Sequence, residues 1–259
     1  MSSVRSLLYV AVWVATHLFL ATSSLAQSRP RPEDTEVYTP VPKIVEPGNG
    51  CTPPSDAVVL FDGKSLAQWV NAGDSSKPAG WVVQHGLMTV NKKAGDIRTK
   101  DRFLDYQLHL EWRVPEHITG KGQSRGNSGV FLAIFPQGGY EVQILDSYNN
   151  TTYTNGQAGS VYKQYVPLVN PLRPPGEWQV YDIIWNAPRF TPDGKLQQPA
   201  TVTVLINGVL VQNAVSLKGT TEYIGTPTYK PHGAAPIQLQ AHGDPSEPIS
   251  FRNIWLRPL

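Results

Sequence analysis

In one short segment after another, apolar residues fall at every second position, and no window carries the 3.6-residue stripe of an amphipathic helix. The segments are AVVLF, WVVQHGLMTVN, YQLHLEWRV, SGVFLAIF, YEVQILD, QVYDIIWNA, ATVTVLINGVLVQ, IQLQAH and FRNIWLRPL. All are rich in Val, Ile and aromatic residues, which suit a pleated, half-buried surface. FDGK at Phe61, PDGK at Pro192 and the Asn207-Gly208 pair supply turn chemistry, the last being a strong hairpin signal. Short alternating strands separated by turns predict an antiparallel all-β fold of two packed sheets.

The fold prediction begins only after two preceding segments. Met1 to Arg5 is a short cationic start, Leu7 to Ala21 is apolar apart from Thr16 and His17, and Ser24-Leu25-Ala26 ends on small residues. That is the form of a signal peptide over residues 1–26, with an apolar run shorter than the roughly 20 residues a spanning helix needs. The expected protein is exported, periplasmic or extracellular, with no membrane span in the mature chain. Residues 27–54 are dense in proline and charge and poor in bulky apolar side chains, as in an extended, flexible linker. Residues 55–259 form the folded domain. The formal charge of +2 falls to +1 without Arg5, far from the clustered Lys and Arg of a nucleic-acid binder. Cys51 is the only cysteine, so no internal disulfide can form.

Residues two apart in a strand share a face. YQLHLEWRV therefore sets Leu108, Leu110, Trp112 and Val114 against Gln107, His109, Glu111 and Arg113. YEVQILD sets Tyr140, Val142 and Ile144 against Glu141, Gln143 and Leu145, and IQLQAH sets Ile237, Leu239 and Ala241 against Gln238, Gln240 and His242. Wet faces of antiparallel sheets are ordinarily polar. Amides together with carboxylates and an imidazole, however, are the groups that hydrogen-bond sugar hydroxyls and move protons. If these strands are neighbours, their polar faces form one concave platform. The Gly-rich loop GKGQSRGNSGVF delivers Arg125, Asn127 and Ser128 to a strand mouth, and GQAGSVYKQY presents Tyr162, which can stack on a sugar face, beside Lys163.

H-E-x-x-H, C-x-x-C, G-x-S-x-G and dinucleotide-binding fingerprints are absent from the sequence. Its histidines are scattered, so the metal site, if one exists, is unknown. A mixed set of Glu141, Asp146 and His242 is the candidate for a divalent ion.

Taken in order, VVLFDGKSLAQWV, WVVQHGLMTV, GDIRTKDRFLDYQLHLEWRV, GNSGVFL, YEVQILDS, GEWQVYDIIW, VTVLINGVLV, IQLQAHG and FRNIWLRPL resemble the 3-keto-disaccharide hydrolase domain family, over about Val58 to Leu259. The resemblance implies a concanavalin-A-like jelly-roll sandwich of the lectin/glucanase architecture, export from a bacterium, and cleavage of glycosides whose C3 hydroxyl has been oxidised to a ketone. Family members often carry an acidic residue between the Gln and His of IQLQAHG, where this chain has Ala241.

A C3 ketone acidifies the C2 proton, so a base can form an enolate, the C1 substituent can leave with help from an acid, and water can add back. On that scheme Glu141 is the expected base and His242 or Glu111 the acid. Gln143, with Asn127, Asp146, Tyr162 and Gln240, binds the sugar, and Arg125 or a metal steadies the enolate. Direct hydrolysis by paired Glu111 and Glu141 is the close variant. A non-catalytic carbohydrate-binding module on the same fold is the alternative, and an envelope interaction module a weaker one.

Overall fold

The structure is a computed structural model and describes residues 30–49 and 52–259. The expected signal peptide and Cys51 lie outside these residues, and the expected linker is described only in part. The chain divides into two compact units, residues 1–43 and 44–259. In the described part of the first, every residue is exposed and the only regular element is a 3-10 turn, Pro32–Thr35.

The second unit carries β1 (Val58–Phe61), β2 (Trp69–Asn71), β3 (Val82–Gln84), β4 (Leu87–Thr89), β5 (Ile97–Thr99), β6 (Tyr106–Arg113), β7 (Ser128–Phe135) and β8 (Gly138–Ile144). It continues with β9 (Gln179–Asn186), β10 (Arg189–Phe190), β11 (Leu196–Gln198), β12 (Thr201–Ile206), β13 (Val209–Ser216), β14 (Gln238–Leu239) and β15 (Ser250–Pro258). No α-helix occurs among the described residues, and none is long and apolar enough to cross a membrane. An eight-stranded sheet runs β13-β12-β9-β6-β15-β4-β3 with β1 on β15, and a five-stranded sheet runs β2-β5-β14-β7-β8. Every pairing is antiparallel, and the two sheets make the expected jelly-roll sandwich.

The apolar halves of the alternating segments meet between the sheets. Leu108, Leu110 and Trp112 of β6 and Tyr181, Ile183 and Trp185 of β9 are buried from one side, Val130 and Leu132 of β7 and Tyr140, Val142 and Ile144 of β8 from the other. Two phenols of the large sheet cross this core to backbone carbonyls of the small one: Tyr181 Oη donates to the Gln143 carbonyl at 2.7 Å and Tyr106 Oη to that of Leu132 at 2.5 Å. Each satisfies a polar group that burial would otherwise penalise.

Two segments depart from the expected strands for local reasons. WVVQHGLMTVN is a hairpin, because His85 and Gly86 take φ of +52° and +78° and turn the chain between β3 and β4. The same left-handed pair occurs as expected at Asn207 (+53°) and Gly208 (+80°) between β12 and β13. IQLQAH pairs as a strand only at Gln238–Leu239, since Ala241 N–H turns to the Asp96 carboxylate.

Removing either crossing hydroxyl breaks an inter-sheet hydrogen bond in a dry core, although the Gln143 carbonyl keeps the Gly159 N–H at 3.0 Å. Tyr181→Phe and Tyr106→Phe should each lower the unfolding free energy by about 0.5–1.5 kcal/mol, read as a lower urea midpoint at unchanged m-value. A midpoint equal to wild type in both variants contradicts the inter-sheet role.

Candidate active site

The polar halves of β8 and β14 and the outer face of β7 lie on the side of the small sheet away from the core. Register fixes one row across it: Arg98 opposes Gln238, Gln238 opposes Phe131, and Phe131 opposes Glu141. Ser160 to Tyr162 extends the edge beyond β8, with a bridge from Val161 to Val142 and Tyr162 N–H on the Glu141 carbonyl at 3.1 Å. Tyr162 therefore continues the row beside Glu141. In a second row Gly129 opposes Gln143, and Gln240 N–H donates to the Gly129 carbonyl at 3.0 Å. Loops close over these rows and leave a cleft of about 620 Å³ lined by Phe131, Glu141, Gln143, Tyr162, Gln240 and His242, with Gln123, Asn127, Tyr153, Lys163, Thr221 and Tyr223 at its walls. Because the loops cover the face, Glu141 is only 5% exposed and Gln143 2%.

Glu141 sits opposite a bulky Phe131 in its own row and beside a bare Gly129 in the next. A Cβ at Gly129 would come within 3.0 Å of Glu141 Cδ, so glycine there makes the room the carboxyl group occupies. No hydrogen bond or ion pair reaches that carboxyl group among the described residues, although Glu141 N–H donates to Thr221 Oγ1 at 3.0 Å. Burial, reinforced by the charge of Asp96, pushes its pKa up to about 8. Asp96 is held by Gln238 Nε2 at 2.9 Å and by Ala241 N–H at 2.7 Å. Burial raises its pKa too, against the Ala241 N–H and the His242 charge. Ala241 itself is half-buried against the core and contributes only its backbone.

The amides are fixed by one another. Gln143 Nε2 donates to Asn127 Oδ1 at 3.0 Å, Asn127 Nδ2 to the Gln123 carbonyl at 2.9 Å, and Gln123 Nε2 to Thr152 Oγ1 and the Gly156 carbonyl, both at 2.9 Å. Gln240 is anchored by its backbone, whose carbonyl accepts from Ser128 Oγ at 2.7 Å, and its side chain has no protein partner among the described residues. His242 Nδ1 lies 3.2 Å from Asp244 Oδ2 and 3.1 Å from Asp244 N, which leaves Nε2 without a protein partner among the described residues. Burial opposes ionisation of Asp244, yet bonds from His242 and Ser246 and the Lys92 ammonium 3.2 Å away hold its pKa down at about 2.

Beyond Glu141 along its row the cleft is aromatic and cationic. Tyr153 and Tyr162 share a hydroxyl–hydroxyl bond of 2.6 Å. Lys163 Nζ lies 4.2 Å from the Tyr223 ring centre, 5.6 Å from that of Tyr153 and 5.9 Å from that of Tyr162, and donates to the Tyr223 carbonyl at 2.7 Å.

Of the residues expected from sequence, Glu141, Gln143, Asn127, Tyr162, Gln240 and His242 converge on this cleft. Glu111 does not: β6 belongs to the large sheet, where Arg252 Nε binds Glu111 Oε2 at 2.6 Å and Asn253 Nδ2 binds Oε1 at 2.8 Å. Despite burial, bonds from His109, Asn253 and Arg252 keep Glu111 at about 2, so it stays ionised and has no proton to give. Arg125 and Asp146 also face elsewhere, paired Nε to Oδ2 at 2.8 Å, with the Arg125 guanidinium on the Tyr148 carbonyl. That pairing takes Asp146 from the set with Glu141 and His242, and no group of three or more His, Cys, Asp or Glu placed to hold an ion occurs among the described residues. Phe131, Thr221, Tyr153 and Tyr223 line the cleft in addition. Phe131 was legible as the outward residue of SGVFLAIF, whereas the other three arrive on loops that carry no periodicity.

Residues 56–257 match the family profile of the 3-keto-alpha-glucoside-1,2-lyase-like domain. A crystal structure of a candidate glycosyl hydrolase from Parabacteroides distasonis shares 58% identity, covers 88% of this chain and 97% of its own, and superposes with a TM-score of 0.83. Two further candidate glycosyl hydrolases from that organism share the fold at 20% and 23% identity, covering 78% of this chain and 94% and 99% of theirs, with TM-scores of 0.57 and 0.55. No curated protein matches the chain. The chain belongs to the 3-keto-alpha-glucoside-1,2-lyase-like domain family, whose members are carbohydrate-active.

Proposed function

We propose that this protein cleaves 3-keto-glycosides, 3-keto-disaccharides among them, by taking the C2 proton and expelling the C1 substituent, and that it does so outside the cytoplasm after loss of residues 1–26. One observation carries the reading: the cleft holds a single lining carboxyl group, buried and without a protein partner among the described residues. A carboxyl group in that state is expensive to keep. A sugar-binding platform uses an ionised carboxylate to accept from hydroxyls and gains nothing from raising its pKa, and paired-carboxylate hydrolysis needs a second carboxyl group across the sugar.

Burial makes Glu141 a stronger base than an ordinary carboxylate, as removal of a carbon-bound proton next to a ketone requires. Its pKa of about 8 still leaves roughly a tenth of it ionised at pH 7. His242, with Nδ1 engaged by Asp244, has Nε2 available to donate to the ketone oxygen as it becomes an enolate. The amides of Gln143, Asn127 and Gln240 meet sugar hydroxyls, and Phe131 offers a flat apolar surface between them. Arg125 has no part in this scheme, since it is committed to Asp146.

Glu141→Gln should lower kcat on a 3-keto-glucoside by about 10²–10⁴-fold while leaving affinity nearly intact. If the variant binds and cleaves like wild type, the base lies elsewhere. If wild type binds the sugar but never releases the aglycone, the domain is a carbohydrate-binding module.

Because the base must be ionised, kcat/KM should climb as pH rises and level off above an apparent pKa near 8. The same shift sets a stability trend of opposite sign. The unfolded carboxyl ionises near 4.5 and the folded one near 8, so wild type loses stability relative to Glu141→Gln as pH rises through that window. The slope is about 1.4 kcal/mol per pH unit, read from urea midpoints at several pH values. Parallel curves for the two proteins would contradict the burial argument.

Gly129→Ala places a methyl group where the carboxyl group lies. It should cut kcat by about tenfold or more and leave the far-ultraviolet spectrum unchanged; full activity would mean that the carboxyl position is not critical.

A further inference from the structure

We propose that the Tyr162 hydroxyl gives its proton to the departing glycosidic oxygen, with Tyr153 as the positioning hydroxyl behind it. This rests on the elimination reading above and supplies the one role that reading leaves empty, since His242 is spent on the ketone oxygen.

Register places Tyr162 directly beside Glu141, across the bridge between Val161 and Val142. Neighbouring side chains on one sheet face stand about 5 Å apart at Cβ, which is the separation of two groups serving adjacent carbons of one ring. The Tyr162 hydroxyl lies 2.6 Å from that of Tyr153, so a second proton stands behind the first. Lys163 adopts φ of +58°, a strained conformation for a non-glycine residue, and its N–H is tied to the Asn155 carbonyl at 2.8 Å. Its ammonium is pinned by the Tyr223 carbonyl within 6 Å of both phenol rings, where it favours negative charge arriving on either oxygen. Burial foremost, then their mutual bond and the nearby Glu141 charge, pushes the Tyr162 phenol well above its ordinary range. The phenol is thus protonated whenever Glu141 is ionised, and enters the cycle as a donor rather than as a second base.

The step balances without any further reagent. Glu141 takes the C2 proton, and the C2–H electrons form the enolate. When the ketone re-forms, those electrons become the C1–C2 double bond, the C1–O bond breaks, and its electron pair takes the Tyr162 proton. The phenolate draws on Tyr153, and the proton gained at Glu141 and the one lost from the tyrosines are exchanged with water.

The test uses the full chain and two 3-keto-glucosides, one with an alkyl and one with a 4-nitrophenyl leaving group. Tyr162→Phe should lose about 10²–10³-fold in kcat on the alkyl glycoside and less than about fivefold on the nitrophenyl glycoside, whose oxygen leaves without a proton. It should also still exchange the C2 hydrogen with deuterated solvent at the wild-type rate. Tyr153→Phe should show the same dependence on leaving group with a smaller loss. Equal losses on both substrates, or none on either, overturn the proposal while wild-type cleavage keeps the elimination reading. If wild type cleaves neither substrate, both fall.

Discussion

The phenol of Tyr181 fixes the strand on which the chemistry stands. It reaches from β9 across the core to the Gln143 carbonyl, so β8 is held from its inner side while Glu141 and Gln143 line the cleft on its outer side. Tyr140, Val142 and Ile144 pack the same strand into the core at alternate positions. A cleft residue on β8 therefore inherits the rigidity of the sandwich, and its position does not depend on loop order alone. The Tyr106 bond does the same for β7, which carries Gly129 and Phe131.

Around that strand the molecule accepts the unfavourable burial of Glu141 beside many satisfied polar groups. Glu141 is left unpaired, while its surroundings are bonded to one another: Gln143 to Asn127, Asn127 to Gln123, Asp96 to Gln238, and Asp244 to His242, Ser246 and Lys92. Gly126 N–H on Ser246 Oγ ties the glycine-rich loop to the segment after His242. These bonds tie the neighbouring polar groups to one another and not to the carboxyl group of Glu141, whose pKa is raised by burial and by the charge of Asp96.

The fold was legible because alternation is local, and the paired list of faces held for β6 and β8. Glu141, Gln143, Gln240 and His242 converge because alternation assigns their faces, whereas Asn127 and Tyr162 come from loop segments legible only by their residue types. Glu111 passed the same test, yet faces the other way, since alternation tells which face a residue occupies but not to which sheet its strand belongs. Arg125 lies on the Gly-rich loop and Asp146 just past the end of β8, and their mutual attraction removes both from the cleft. Tyr153, Thr221 and Tyr223 were beyond reach for a different reason. Their positions depend on contacts such as Thr221 N–H to the Gly139 carbonyl, which join residues far apart in sequence.

The position of β15 bears on how the protein is made. This strand pairs with β6, β4 and β1 in the interior of the large sheet, though it comes after every other strand in sequence. Until residues 250–258 leave the ribosome, β6 and β4 present open edges and the two halves of the sheet have nothing to join them. Synthesis and folding of the large sheet are consequently separated in time. A chain stopped short of β15 is an aggregation hazard rather than a weaker enzyme.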